Sequence, residues 1–316
     1  MNNFKKISLT ALAGSLVATS VAFAGEMTAT GAAEMKVTNN SQLASGKTVA
    51  MGNSITFAGS GETDGGLNVA VSFELDQGAG DGTGPFDNHS VSVGNETMGT
   101  LKVHGHGGSN SAAALDGTAA GDFWDNTLGI SSTNTPKSAP SGNGLVVYTL
   151  PVLVDGLSVG ASYASAGEND AGSTAYGLTY AGIDGLSVSL GKGEDDRKTN
   201  TSADQTIMKA SYAYGPVTVS LSNNDYDHSA ANSDQEVKSH AISYTVTEAI
   251  SVTYGEEKIS RDGKTADIEV DGMTASYTSG GMTLDLTQIE ASDVDHSSST
   301  ANNDNEFWKV SLSFAF

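Results

Sequence analysis

Seven times along the chain a tight turn opens directly onto a run whose side-chain character alternates at every second position. The unit reads Asp64-Gly65-Gly66-Leu67-Asn68-Val69, then Met98-Gly99-Thr100-Leu101-Lys102-Val103. It returns as Asp155-Gly156-Leu157-Ser158-Val159 and, almost unchanged, as Asp184-Gly185-Leu186-Ser187-Val188. Gly215-Pro216-Val217-Thr218-Val219, Glu248-Ala249-Ile250-Ser251-Val252 and Gly280-Gly281-Met282-Thr283-Leu284 complete the set. A period of two is the signature of a strand with two unlike faces. Gly and Asp supply the turn conformations that a hairpin needs, and Pro216 is tolerated because it opens its strand. The chain is therefore all-β and built from antiparallel hairpins.

Strands laid out between these turns number about sixteen. They are expected near 26–38, 48–59, 66–76, 88–95, 98–104, 144–152, 156–165, 173–181, 185–192, 204–214, 216–224, 235–246, 249–260, 266–277, 281–290 and 305–316. The connections between the tight turns are longer: 39–47, 77–87, 105–143, 166–172, 193–203, 225–234, 261–265 and 291–304. Short turns on one side and long loops on the other, with an even strand number, suit a closed antiparallel transmembrane β-barrel. A soluble sandwich has no reason to keep that alternation. The faces agree. Met208, Ala210, Tyr212 and Tyr214 share one face against Lys209, Ser211 and Ala213, and Val217, Val219 and Leu221 oppose Thr218, Ser220 and Ser222. Small hydroxyl residues suit a wetted lumen, and about sixteen strands leave an aqueous channel.

Both ends of the chain fit export to a membrane. Lys5 and Lys6 precede an apolar stretch from Ile7 to Phe23, and Ala22-Phe23-Ala24 offers a small-x-small cleavage site. Residues 1–24 thus read as a cleaved signal peptide, leaving 25–316 as one barrel domain. At the other end Trp308, Val310, Leu312, Phe314 and Phe316 are apolar at every second position. This ending resembles the C-terminal assembly signal of bacterial outer-membrane proteins, which implies recognition by the outer-membrane insertion machinery. The mature chain as a whole resembles the general porins of Gram-negative bacteria, of the type found in alphaproteobacteria. That resemblance implies an outer-membrane location, contact with lipid and lipopolysaccharide, and a homotrimer.

Composition narrows the partners. The chain has 15 basic and 37 acidic residues, a net charge of −22, and loss of Lys5 and Lys6 with the signal peptide takes it to −24. Such a surface repels nucleic acid and attracts cations. There is no cysteine, hence no disulfide and no thiolate metal site. The mature chain has no apolar run of about eighteen residues, which is no argument against a barrel, whose strands alternate.

The connection at 105–143 is too long to be an ordinary structureless loop. It is the third long connection, and in general porins the third loop folds into the barrel and narrows the pore. By that resemblance it forms the constriction here. Ala112-Ala113-Ala114-Leu115-Asp116-Gly117 suits a short helical turn closed by glycine. Asp116, Asp122 and Asp125 are then expected to face the channel or a divalent cation, with Phe123 and Trp124 anchoring the loop. Porin eyelets commonly set such carboxylates against a basic cluster. Here the wall offers only Lys36, Lys102, Lys209 and Lys309, because Arg197 and Arg261 are placed in external loops. The expected result is a cation-preferring pore, since charged rings at close quarters decide ion preference.

Other motifs carry less. Gly156-Leu157-Ser158-Val159-Gly160 matches a nucleophile elbow, but its serine lies within a period-two strand rather than a strand–turn–helix. No clustered nucleophile and base accompanies it, so no enzyme is expected. His104 and His106 lack a nearby carboxylate and read as a polar strand face. Glu194-Asp195-Asp196, Asp225 with Asp227, and Asp293 with Asp295 are spaced as calcium ligands on external loops. No cofactor is required. The function expected is passive diffusion of ions and small hydrophilic solutes. The alternative is a plugged structural or adhesive barrel that binds a partner through its acidic loops.

Overall fold

A computed structural model describes residues 25–41, 47–76, 86–165, 171–197, 202–297 and 304–316. The signal segment 1–24 lies outside the described residues. Sixteen antiparallel strands close into one barrel: β1 (Glu26–Asn40), β2 (Thr48–Glu62), β3 (Asn68–Asp76), β4 (Phe86–Asn95), β5 (Gly99–His106), β6 (Leu145–Thr149), β7 (Leu157–Ala164), β8 (Ala171–Ile183), β9 (Leu186–Arg197), β10 (Ser202–Tyr214), β11 (Val217–His228), β12 (Gln235–Thr247), β13 (Ile250–Arg261), β14 (Ile268–Ser279), β15 (Met282–Ser292) and β16 (Asn305–Ala315). Each strand pairs with its sequence neighbours, and β1 closes on β16 with Met35 opposite Leu312 and Val37 opposite Val310. Among the described residues, helix is confined to two single 3-10 turns, Ala113–Leu115 and Phe123–Asp125. No helix among the described residues is long and apolar enough to cross a membrane, which says nothing of a barrel.

Residues directly opposite on neighbouring strands share a face, so the register sorts inside from outside. One outward row starts at the tight turn before β11 and climbs around the tilted wall to the β1–β2 loop, running Val217, Tyr244, Val252, Ala275, Leu286, Val310, Val37 and Val49. The inward row beside it is almost all hydroxyl: Thr218, Ser243, Thr253, Thr274, Thr287, Lys309, Thr38 and Thr48. Here the expected apolar-out, polar-in alternation holds. Two outward rows higher the chemistry changes abruptly to His240, Glu256, Asp271, Glu290 and Glu306, each opposite the next. The apolar band ends there.

At and above that level the inward face turns apolar on β12–β16. Val237, Ile259, Ile268, Val270, Ile289, Ala291 and Phe307 are all buried inside the barrel. The expectation of a wetted inner face thus fails in this half. The phase of the alternation switches within each strand because something other than water covers the inner wall.

Strand ends also differ from expectation. β9 continues to Arg197, β11 to His228 and β13 to Arg261. Glu194, Asp195, Asp196, Asp225 and Asp227 therefore lie on strands rather than loops, and Arg197 and Arg261 end strands. The expected connections 193–203 and 225–234 thus begin too early. A barrel wall that extends past its apolar band carries charges on its outer face without leaving the sheet.

Candidate functional site

What covers the inner wall is the connection from β5 to β6, residues 107–144, which folds into the barrel. Its root is closed by a bridge in which Gly108 N donates to Gly142 O at 3.1 Å and Gly142 N donates back at 2.6 Å. Asn110, 1% exposed, ties the outgoing arm to the returning one. Its amide donates to the carbonyls of Ala139 and Pro140, both at 2.9 Å, while its oxygen accepts from Ala112 and Ala113 N–H. The Ala113–Leu115 turn follows directly.

A loop buried inside a barrel must find partners for its main-chain groups, and the wall supplies them. Ser162, Ser222 and Ser239 accept the N–H groups of Ser111, Ala119 and Ala120 at 2.8, 2.8 and 2.9 Å. Glu257, 2% exposed on β13, accepts from Phe123 N at 2.9 Å, Trp124 N at 2.8 Å and the Thr118 hydroxyl. On the return arm Gln205 accepts from Ala139 N and Gln235 from Lys137 N, at 2.9 and 2.8 Å. Asn305 donates to Leu128 O at 2.6 Å. Close approach also needs glycine. A Cβ on Gly177 would lie 2.2 Å from Ser111 O, and one on Gly255 would lie 2.5 Å from the Ala120 Cβ.

Phe123 and Leu128 of the loop are buried in the apolar cluster with Val237, Ile259, Ile289 and Phe307. Trp124 packs at the edge of that cluster, partly buried, and its indole N–H donates to Asp122 Oδ1 at 3.3 Å. Asp116 and Asp122 line a small pit of about 160 Å³ together with Trp124 and Ser138. Asp122 also accepts from Thr118 N at 2.9 Å. Burial pushes the Asp116 carboxyl above the usual aspartate range, the Ser138 hydroxyl opposes that shift, and the charge of Asp122 adds to it. Asp125 is exposed on the Phe123–Asp125 turn and does not line the pit.

Of the expected lysines, only Lys209 joins the loop, its ammonium donating to Gly117 O at 2.5 Å. Lys36, Lys102 and Lys309 point into the lumen from β1, β5 and β16, and Lys36 pairs with Glu34 at 3.2 Å. At the tight-turn end of β2–β6 lies an open cavity of about 940 Å³ with a lining that includes Ser60, Glu62, Asn68, Asn95 and Thr100.

The remaining expected residues are dispersed. On β9 the run splits by face. Glu194 lies opposite Asp204 on the outer wall, while Asp195 is buried inside and accepts the Tyr226 hydroxyl at 2.7 Å. Asp196 shares the outer face of Glu194. Asp225 and Asp227 face outward opposite Glu236 and Asp204. Asp293 and Asp295 belong to the turn after β15, where Asp293 has φ 53°. Among the described residues no group of three or more His, Asp or Glu is arranged to hold a metal ion. His104 is buried on the lumen side and His106 stacks with His89. Trp308, Val310, Leu312 and Phe314 face outward on β16, and the Lys47 ammonium lies 5.3 Å from the centre of the Trp308 ring. Phe316 remains in the sheet, exchanging main-chain hydrogen bonds with Gly31.

A closed sixteen-strand barrel narrowed by its own third long connection is the geometry of a diffusion channel, and a family model described as Gram-negative porin matches residues 8–269. The chain belongs to that family. As a member, the porin is an outer-membrane channel for small solutes, and its family and fold are those of non-enzymatic channels. Solved structures with the same fold include an anion-selective porin from Comamonas acidovorans, 17% identical, covering 92% of this chain and 99% of that one, with a TM-score of 0.72. The trimer form of Vibrio cholerae OmpT is 14% identical, with coverage of 93% and 100% and a TM-score of 0.72. Salmonella typhi OmpF, in complex with daunomycin, is 16% identical, with coverage of 92% and 98% and a TM-score of 0.69. At these identities the likeness is one of fold. No curated protein sequence matches the chain.

Reading the sequence missed Asn110, Gln205, Gln235, Glu257 and Asn305, the wall and root residues that hold the loop of this porin. A signal was present. The inward apolar residues Val237, Ile259, Ile268, Ile289 and Phe307 break the phase set by outward Tyr244, Tyr254, Met273, Leu286 and Val310 on the same strands.

Proposed function

We propose that the porin passes ions and small hydrophilic solutes by passive diffusion, favours cations over anions, and works as a homotrimer. Cation preference rests on Asp116 and Asp122, carried into the lumen on a loop that Glu257 and the apolar cluster hold in place. The one lysine beside them, Lys209, is engaged with the Gly117 carbonyl. A fixed pair of carboxylates at a narrowing favours the entry of counter-charged ions.

The homotrimer reading rests on an asymmetry of the outer wall. The paired outward positions of β1–β5 carry no Asp, Glu, Lys or Arg. They hold Met35, Val49, Met51, Val71, Val91 and Leu101, with Phe57 and Phe73 stacked at 5.3 Å. On β12–β16 the outward rows carry Glu236, Lys238, Glu256, Lys258, Asp271, Glu290 and Glu306. A wall without the charged upper rows suits contact with identical walls of two further copies. The trimer form known for Vibrio cholerae OmpT agrees with it.

Reversal potentials in a potassium chloride gradient across a planar bilayer test the selectivity. The expected sign is that of a cation-preferring pore, with current steps arriving in groups of three. An anion-preferring sign overturns the selectivity reading, and isolated single steps overturn the trimer.

A further inference from the structure

At the long-loop end of the lumen lies a cleft of about 210 Å³ lined by Lys137, Tyr226, His228, Ser233, Gln235 and Arg261. Tyr226 and His228 come from the end of β11, Gln235 opens β12 and Arg261 closes β13. Lys137 comes from the return arm of the folded-in loop, where its main-chain N–H is bonded to Gln235. The chemistry of this lining runs against the protein as a whole. The chain has 37 acidic and 15 basic residues, yet among the described residues no carboxylate lines the cleft, and one of the chain's two arginines does.

The lining is also rich in donors. His228 Nδ1 accepts the main-chain N–H of Ala230 at 3.0 Å, so the neutral ring carries its hydrogen on Nε2 and presents a donor there. Arg261 donates through Nη1 to Thr133 O at 2.8 Å, one of five N–H groups in its guanidinium. Lys137 donates to Ser132 O at 2.9 Å and adds a second fixed positive charge. Two carboxylates close by are turned to other partners. Asp195 takes the Tyr226 hydroxyl at 2.7 Å, and Asp234 takes the His228 main-chain N–H at 2.8 Å. Both cationic side chains are therefore held in place before any ligand arrives, which lowers the ordering cost of binding.

We infer that this cleft binds a small oxyanion, the phosphate or carboxylate group of a solute entering the channel. A guanidinium fork and an ammonium on one cleft match the geometry and charge of such a group. The volume is below that of a drug-sized pocket, so it takes a headgroup and leaves the rest of the solute in the lumen. The site stands whether or not the pore prefers cations. It gives an acidic channel one place at its mouth where an anionic group is held.

The test uses the mature porin in a planar bilayer, recorded in potassium chloride at constant ionic strength. Potassium phosphate is added on the loop side, with potassium acetate in a parallel series. The blocked and unblocked currents are compared within the same channel. The expected result is a saturable phosphate block whose apparent Kd rises about tenfold or more in the Lys137→Gln/Arg261→Gln double variant. Lys137→Gln alone keeps the main-chain tie to Gln235 and weakens block to an intermediate degree, whereas Arg261→Lys retains part of it. Block by acetate as well extends the site to carboxylates, and block by phosphate alone restricts it to phosphate. No saturable block by either anion, or an unchanged Kd in the double variant, overturns the inference. Open-channel steps in chloride alone report on the channel, so the two readings fail separately.

Discussion

Glu257 Oε2 accepts the main-chain N–H of Trp124 at 2.8 Å, across 133 residues of sequence. Its other oxygen takes the N–H of Phe123 at 2.9 Å and the hydroxyl of Thr118. One buried carboxylate thus satisfies the start of the Phe123–Asp125 turn, where helical N–H groups lack partners of their own. The same turn sets Phe123 into the apolar cluster and carries Asp122 to the pit beside Asp116. The position of the loop and that of its two carboxylates are therefore coupled through one residue of the wall.

Glu257→Ala leaves two buried N–H groups without an acceptor, at about 1–3 kcal/mol each. The barrel has many other strand pairs and is expected to fold, but the loop is expected to leave its place for part of the time. Single-channel records should show a larger and noisier conductance, with unchanged heat-modifiable mobility on gels. Glu257→Gln keeps one acceptor oxygen and should fall between. A quiet record of normal size from the alanine variant would mean that the loop does not depend on this carboxylate.

Asp116 should give the selectivity a pH dependence. Burial raises its folded pKa above the usual aspartate value, so its charged form carries a cost at neutral pH that is relieved as pH falls through the folded pKa. Acidification therefore neutralises Asp116 before an ordinary aspartate and does not loosen the loop through this group. Cation preference is expected to fall in a step beginning above the usual aspartate range, and Asp116→Asn should remove that step while lowering preference at neutral pH. Reversal potentials measured across a pH series decide it. An identical titration in the variant would assign the step to another group.

The outer wall offers a paired comparison. Val71 on β3 and Val219 on β11 both face outward and are 44% and 47% exposed. A lysine at either place costs about 2–4 kcal/mol if it meets the lipid midplane. Val71→Lys is expected to shift trimers to monomers, whereas Val219→Lys should lower the folded yield and leave the assembled fraction trimeric. Unheated gel mobility and crosslinking read the outcome. Equal loss of trimers in both variants would move the contact away from β1–β5.

Most of the barrel was legible in the sequence because its rules are local. The Asp-Gly and Gly-Pro turns placed the tight connections, and the alternation in Val217–Leu221 or Trp308–Phe314 gave strands, their number and their two faces. The upper strand ends were less legible. Glu194–Asp196, Asp225 and Asp227 lie in strands that run past the apolar band, and nothing within those short segments separates an exposed strand from a loop. Among the site residues, Asp116, Asp122, Phe123 and Trp124 lay on a segment whose length called for a role, so they were within reach. Glu257, Gln205 and Asn305 were not, since a polar residue at an inward position looks the same whether it meets water or a loop's main chain.

The seven tight turns and the period of two determined by themselves an even-stranded antiparallel sheet, because turn chemistry and side-chain alternation act over a few residues. Which stretches of each face meet lipid, water or protein was decided only when the barrel closed and residues 107–144 folded against β7–β16. The inward positions of Val237, Ile259 and Phe307 are apolar for that reason alone. A period-two pattern records which residues stand together, and only contacts between wall and loop, far apart in the chain, settle what lies against them.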